Sequence, residues 1–211
     1  MDKKIRIVIA EDKPLMRRMF TVFLNDYAEF EVVGESANGR ELLDLLKCTE
    51  TDIVVLDLEM PVMSGFEALA VMQLRFRDVK AVVLSVHNDV SRIREALSLG
   101  ACGFISKDCI PEQLIQTLKN VYVKGFYIEE EIYKSLLQNI SHESSGLKQK
   151  LSKREKEILK ELHNGRTEKE IARILNISKG TVHFHRMNIY TKTGTHNLAE
   201  LLKYITVNNL I

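Results

Sequence analysis

The residues best suited to chemistry in this sequence are five polar side chains spread along its first half. Glu11 and Asp12 are adjacent, while Asp57, Ser85 and Lys107 each stand further along. Each comes at or just after the end of a short apolar run: Ile5-Arg6-Ile7-Val8-Ile9-Ala10, Ile53-Val54-Val55-Leu56, Ala81-Val82-Val83-Leu84 and Gly103-Phe104-Ile105. If these runs are parallel strands, their ends gather on one rim and three carboxylates meet there. Two carboxylates about 4 Å apart repel by roughly 4 kcal/mol near a protein surface. A divalent cation relieves that repulsion, and a set of oxygen ligands without Cys or His suits Mg2+. The same set suits phosphoryl transfer to a carboxylate. Asp57 is the nucleophile, and Asp12, Asp57 and, through water, Glu11 hold the cation. Lys107 meets one phosphoryl oxygen as a point charge and Ser85 donates to another. Singly, each residue has an ordinary role: an acid after a strand often caps a helix, and a lysine usually faces water. The conjunction on four strands points to a site.

The elements that must position these residues follow from hydrophobic period. Continuous β-branched runs predict strands buried on both faces of a parallel sheet, with a further strand at Glu31–Glu35. Amphipathic runs between and after them predict helices over Pro14–Tyr27, Gly39–Lys47, Gly65–Arg75, Val90–Leu99 and Pro111–Val123. Pro14 and Pro111 can open helices, where a missing N–H costs nothing, and Pro61 falls in a loop. Alternating strands and helices give a doubly wound α/β domain over residues 1–125. In such sheets ligands gather at the carboxyl ends of the strands.

After Ile128 the strand pattern stops. Residues 126–150 read as a linker with a short helix over Glu129–Asn139, followed by the polar stretch Ile140–Lys150. Residues 151–211 read as a small all-α domain. Ser152 with Glu155 and Thr167 with Glu170 have capping-box spacing, Asn197 with Glu200 is a variant, and Ser178 is a further N-cap. Thr167–Leu175, the turn Asn176-Ile177 and Ser178–Thr193 form a helix-turn-helix pattern whose second helix would enter a major groove. The expected core is Ile158, Leu159, Leu162, Ile171, Ile174, Leu175, Ile177, Val182 and Ile189. Lys179, Thr181, His183, Phe184, Arg186, Met187 and Lys192 remain for the DNA-facing side. Of these, Lys179, Arg186 and Lys192 are candidates for phosphates, and the N-terminal half of the helix would read base edges.

Both halves resemble known families. The motifs Ile7-Val8-Ile9-Ala10-Glu11-Asp12, Leu56-Asp57-Leu58-Glu59-Met60-Pro61-Val62-Met63-Ser64-Gly65, Leu84-Ser85 and Gly103-Phe104-Ile105-Ser106-Lys107 resemble the receiver domain of bacterial two-component response regulators, a flavodoxin-like (βα)5 fold. The resemblance implies Asp57 as phospho-acceptor, Glu11 and Asp12 as the acidic Mg2+ site, and a backbone carbonyl of Glu59 on the metal. It also implies Phe104 as the aromatic whose rotamer follows phosphorylation. Many relatives have a cis proline after the lysine, where this chain has Asp108. Leu151-Ser152-Lys153-Arg154-Glu155, Lys169-Glu170-Ile171-Ala172 and Ser178–Ile189 resemble the LuxR/NarL-type DNA-binding domain. That resemblance implies dimerisation through the last helix, about Asn197–Thr206, with Asn197, Leu201 and Tyr204 as candidates. His183 stands where many relatives have lysine, so the DNA sequence that relatives read does not transfer. The partners implied are a sensor histidine kinase, double-stranded DNA and a second copy of the chain. No separate enzymatic activity is expected.

Charge divides as the domains do. Residues 148–211 carry 13 Lys and Arg against 6 Asp and Glu, a net +7, and residues 1–147 carry 17 against 23, a net −6. A basic piece joined to an acidic one suits different partners. With 45 % apolar and 28 % charged residues the composition is that of an ordinary globular chain. No run approaches the roughly 18 apolar residues of a membrane span, and no signal-peptide pattern opens the sequence. Three widely spaced cysteines, Cys48, Cys102 and Cys109, argue against a disulfide framework and for a cytoplasmic setting. An aspartyl-phosphate hydrolase of the haloacid-dehalogenase kind would want Asp-x-Asp after its first strand, which is absent. A regulator that is never phosphorylated, or whose output is a protein contact, is the other alternative.

Overall fold

A computed structural model of the chain describes residues 3–86, 89–142 and 151–208, with 137–142 described by backbone alone. It divides into two compact units, Met1–Glu129 and Glu130–Ile211.

The first unit alternates β1 (Ile5–Ala10), α1 (Pro14–Asn25), β2 (Phe30–Ser36), α2 (Gly39–Leu45), β3 (Ile53–Asp57), α3 (Gly65–Arg75), β4 (Lys80–Ser85), α4 (Val90–Ser98), β5 (Gly103–Ser106), α5 (Pro111–Lys124) and β6 (Tyr127–Ile128). The sheet is parallel throughout, in the order β2-β1-β3-β4-β5-β6. This is the expected flavodoxin-like arrangement, extended by one short strand. Sequence period missed β6 because two residues cannot show alternation. Gly125, left-handed at φ 82°, ends α5, and Tyr127 N–H donates to Cys102 O at 2.9 Å beside β5.

Burial explains the strand composition. Ile53, Val54, Val55 and Leu56 of β3 are all buried, as helices on both faces require. Leu24 of α1 and Leu118 of α5 pack with Ile7, Ile9 and Phe30 in one core, each such side chain contributing about 2 kcal/mol by leaving water. Asn38, Ser64 and Asp89 cap α2, α3 and α4, and Pro14 and Pro111 open α1 and α5 as expected. Gly65 sets how closely α3 approaches β3: a Cβ there would lie 2.2 Å from Asp57 O and 2.7 Å from Leu58 Cα.

The second unit holds α6 (Glu130–His142), α7 (Lys153–His163), α8 (Glu168–Leu175), α9 (Lys179–Thr193) and α10 (Leu198–Asn208). The capping boxes at Ser152 and Thr167 both form. Asn176, left-handed at φ 59°, makes the turn after α8, and Ser178 caps α9. Ile158, Leu159, Leu162, Ile171, Val182, Ile189 and Leu201 form the core, with Leu175 and Ile177 packed against it. Ile174, expected in that core, is 51 % exposed. The short helix α8 turns one stripe inward, through Ile171, Ala172 and Leu175, and Ile174 falls on its flank. The predicted linker is occupied by α6 over part of its length, and α6 packs on α9. Residues 143–150, the rest of the predicted polar stretch, lie outside the described residues.

Candidate functional site

The acidic residues meet where the order of the sheet reverses, between β1 and β3. Glu11 and Asp12 follow β1, and Asp57 is the last residue of β3. One ligand oxygen from each lies within 4.8 Å of the others. β4 and β5 deliver the remaining pair, since Lys107 N–H donates to Ser85 O at 2.8 Å and ties the two strand ends together. Lys107 then turns inward: its Nζ donates to Glu11 Oε2 at 2.7 Å and to Asp57 Oδ2 at 2.8 Å. Glu59 N–H donates to Asp57 Oδ1 at 3.3 Å. The five residues that the sequence singled out thus converge.

The electrostatics of the pocket follow from its burial. Glu11, Asp57 and Ser85 are buried, with Ser85 1 % exposed. Burial pushes the Glu11 carboxyl above its ordinary value, the hydrogen bond from Lys107 pulls it down, and the charge of Asp57 pushes it up again. Lys107 loses hydration too, and an apolar cavity of about 170 Å³ lined by Phe20, Phe23 and Leu114 adjoins it. Its hydrogen bonds to Asp57 and Glu11 outweigh that loss and hold its ammonium above the usual lysine range. One ammonium among three carboxylates leaves the cluster short of two positive charges. Asp12 Oδ1 is buried with no hydrogen-bond partner among the described residues. An orphaned carboxylate oxygen beside two others fits a hard divalent cation. Nearby, the Glu59 side chain reaches Arg92 of α4 at 2.6 Å. Phe104 is fully buried on β5, so in this conformation it is a core aromatic.

The helix-turn-helix differs from expectation in which residues it leaves outside. Lys179 is exposed at the first position of α9. His183 and Arg186 are partly exposed, and both contact Glu168 at 3.0 Å. Thr181 and Phe184, expected on the DNA-facing side, are buried, and Met187 packs against the core. Thr181 Oγ1 lies 2.9 Å from Ser178 Oγ in the cap of α9. Lys192, a phosphate candidate, turns inward to Glu155, with Nζ 2.8 and 3.0 Å from the two carboxylate oxygens. The physical reason is that α6, α7, α8 and α10 all pack on α9, so little of its circumference stays open. Leu201, expected at a dimer interface, is fully buried in the core. Asn197 caps α10 by accepting from Glu200 N–H at 2.9 Å, and Tyr204 is half-buried. Glu155 and Glu168 are the residues that sequence reasoning missed. Glu155 was visible as a capping partner, whereas nothing in the spacing marked Glu168.

Comparisons with known proteins match both units of the chain. Residues 7–119 match the family model described as response regulator receiver domain, and residues 149–205 match bacterial regulatory proteins, luxR family. Over 209 residues the chain is 35 % identical to the uncharacterized transcriptional regulatory protein YhcZ of Bacillus subtilis, covering 98 % of this chain and 97 % of that one. It is 33 % identical to the transcriptional regulatory protein UhpA of Escherichia coli, covering 94 % of this chain and 96 % of that one. A solved structure of the response regulator RcsB of Salmonella typhimurium, described in terms of its conformational dynamism for DNA interaction, superposes with a TM-score of 0.61 at 25 % identity, covering 97 % and 99 % of the two chains.

Proposed function

This chain belongs to the two-component response regulators that join a receiver domain to a LuxR-type helix-turn-helix, and from that premise we propose that Asp57 accepts a phosphoryl group which controls dimerisation and DNA binding. The observation that carries the proposal is the contact of Lys107 with both Glu11 and Asp57, beside the unpartnered Asp12 Oδ1. It puts a nucleophile, a fixed cation and a ligand set for a second cation within one small pocket.

A carboxylate oxygen of Asp57 attacks phosphorus in line, and the bond from phosphorus to the donor breaks as the acyl phosphate forms. The donor is the phosphohistidine of a partner sensor kinase or a small acyl phosphate. Mg2+, held by Glu11, Asp12, Asp57 and a backbone carbonyl of Glu59, would neutralise phosphoryl oxygens. Lys107 moves its hydrogen bonds from the carboxylates to a phosphoryl oxygen. The Ser85 hydroxyl donates to another, drawing the end of β4 inward. Phe104 follows as the switch aromatic, taking space that the moving strand end leaves. The added charge, about −1.5 to −2, shifts an existing equilibrium toward a dimer that binds DNA. Tyr204, on the half-open side of α10, is the remaining side-chain candidate for contact between the DNA-binding domains.

The protein acts on itself and turns over no outside substrate beyond slow loss of its own phosphoryl group. The proposal places it in the cytoplasm, where kinase and DNA are both accessible. Two observations support that setting: Cys48, Cys102 and Cys109 are free thiols, and no helix among the described residues is long and apolar enough to cross a membrane. Labelled acetyl phosphate tests the central claim. Wild type should take up label in the presence of Mg2+ and bind duplex DNA more tightly as a dimer. Equal labelling of Asp57→Asn would sink the assignment.

A further inference from the structure

The loop between β1 and α1, Glu11-Asp12-Lys13, carries two of the three clustered carboxylates. Its first residue is tied down from several directions. Glu11 N–H donates to Ser36 O of β2 at 3.1 Å, and Lys13 N–H donates to Glu11 Oε1 at 3.3 Å. A further tie comes from α1. Arg17 reaches back over the first turn of its helix, and its Nη1 donates to Glu11 O at 2.5 Å. That oxygen belongs to the peptide that joins Glu11 to Asp12. A peptide is planar, so holding its oxygen fixes the direction in which the chain enters Asp12. Asp12 Oδ1 has no hydrogen-bond partner among the described residues to orient it, so the backbone beneath it matters more.

Arg17 is itself aimed. Its Nε donates to Glu35 Oε2 at 3.3 Å, and Thr21 Oγ1, one helical turn on, donates to Glu35 Oε1 at 2.7 Å. Glu35 pairs with Ile9 in the parallel register of β1 and β2, so the sheet sets it beside the strand end that bears the acids. A guanidinium is a planar fork of donors. Here it spans a carboxylate on one side and a backbone carbonyl on the other. Arg17 is 18 % and Glu35 35 % exposed in their side chains, and a partly exposed ion pair contributes little stability. What the pair supplies is direction.

Charge alone works against a cation near Arg17. Like charges repel, so loss of the guanidinium by itself would tighten Mg2+ binding. Positioning predicts the opposite sign, because groups that orient metal ligands change affinity by roughly ten- to a hundredfold when lost. We propose that Arg17, aimed by Glu35 and Thr21, is a positioning residue for the cation site: it fixes the Glu11–Asp12 peptide so that Asp12 presents its unpartnered oxygen beside Asp57. This rests on the reading of Glu11, Asp12 and Asp57 as a Mg2+ site.

Calorimetric titration of the full-length chain with MgCl2 tests it, at fixed ionic strength and without a phosphodonor. The proteins are wild type, Arg17→Met, Thr21→Val, the two together, and Asp12→Ala, which marks the heat that belongs to this pocket. Circular dichroism and the cation-free melting midpoint check that each is folded. Arg17→Met should raise the Mg2+ Kd roughly tenfold or more, although it removes a positive charge. Thr21→Val changes no charge and should raise the Kd by less. The double variant should add little to Arg17→Met, because Thr21 acts through Arg17. If Arg17→Met folds and binds Mg2+ as tightly as wild type, or more tightly, Arg17 is only a surface charge and the inference falls alone. Should Arg17→Met not fold, Thr21→Val decides, and an unchanged Kd overturns the inference. If wild type binds no Mg2+, or Asp12→Ala binds it equally well, the cation site falls and takes this inference with it.

Discussion

The ammonium of Lys107 stands 2.7 Å from Glu11 and 2.8 Å from Asp57, residues 96 and 50 positions away in the chain. All three side chains are almost fully shielded from water. The contact therefore holds the pocket together, apart from the part that Lys107 plays in the proposed phosphoryl transfer. Lys107→Met keeps the length of the stem but leaves two buried carboxylates without their shared partner. Loss of one member of a buried ion pair typically costs about 3 kcal/mol or more. Urea unfolding followed by circular dichroism should show that loss, with Mg2+ restoring part of it. An unchanged midpoint would contradict the role given to Lys107.

Cation binding should register in stability without any phosphodonor. A ligand held by the folded state alone adds about 2.7 kcal/mol at a hundred times its Kd. Titrating MgCl2 should raise the melting midpoint of wild type. Asp12→Ala removes the unpartnered oxygen and should abolish most of the gain without destabilising the cation-free protein. A full Mg2+ response in this variant would place the cation elsewhere.

Lys192 separates two roles cleanly. Its Nζ satisfies both oxygens of Glu155, which is itself buried. Lys192→Met should destabilise the second unit by about 3 kcal/mol, the order expected when a buried charge loses its partner. Adding Glu155→Gln should recover much of that. If Lys192 instead meets a phosphate, Lys192→Met will melt as wild type does and reduce the salt slope of DNA binding by about 1.

His185 predicts a pH dependence. Burial holds its imidazole below the ordinary value. The charge of Glu155 opposes that, and those of Arg154 and Lys192 reinforce it. The folded state therefore prefers the neutral ring. As pH falls through about 6.5 the unfolded chain takes up its proton first. This part of the stability is full above that pH and is lost below it, down to the depressed folded value. His185→Leu should flatten the fall in melting midpoint between pH 7 and pH 5. An equal fall in both proteins would remove His185 as its source.

Val62 carries strain next to the pocket. It is β-branched, left-handed at φ 67° and 85 % exposed, five residues after Asp57. A left-handed L-residue costs roughly 1–2 kcal/mol, and asparagine tolerates that conformation better. Val62→Asn should stabilise the first unit by about 1 kcal/mol in urea unfolding. A loss of stability would mean that the valine side chain makes a contact worth more than the strain.

Much of this protein was legible in its sequence. The hydrophobic period located the five longer strands and every helix of the first unit, because buried parallel strands must be continuously apolar and surface helices one-sided. The acidic pocket was legible for a related reason: parallel topology brings strand ends together, so Glu11, Asp12, Asp57, Ser85 and Lys107 could be assigned to one rim from their places after strands. Capping chemistry marked Ser152, Thr167 and Ser178, since those contacts are local. What the tertiary structure decided lay in α9. Period alone left Thr181, Phe184, Met187 and Lys192 facing DNA, but four other helices pack on α9 and turn them inward or leave them half-covered. Likewise, only the packing of α8 on α9 could bring Glu168 to His183 and Arg186. A helix's own sequence records how apolar each of its faces is. It does not record how many neighbours will cover them, and that number sets which side chains remain to meet a partner.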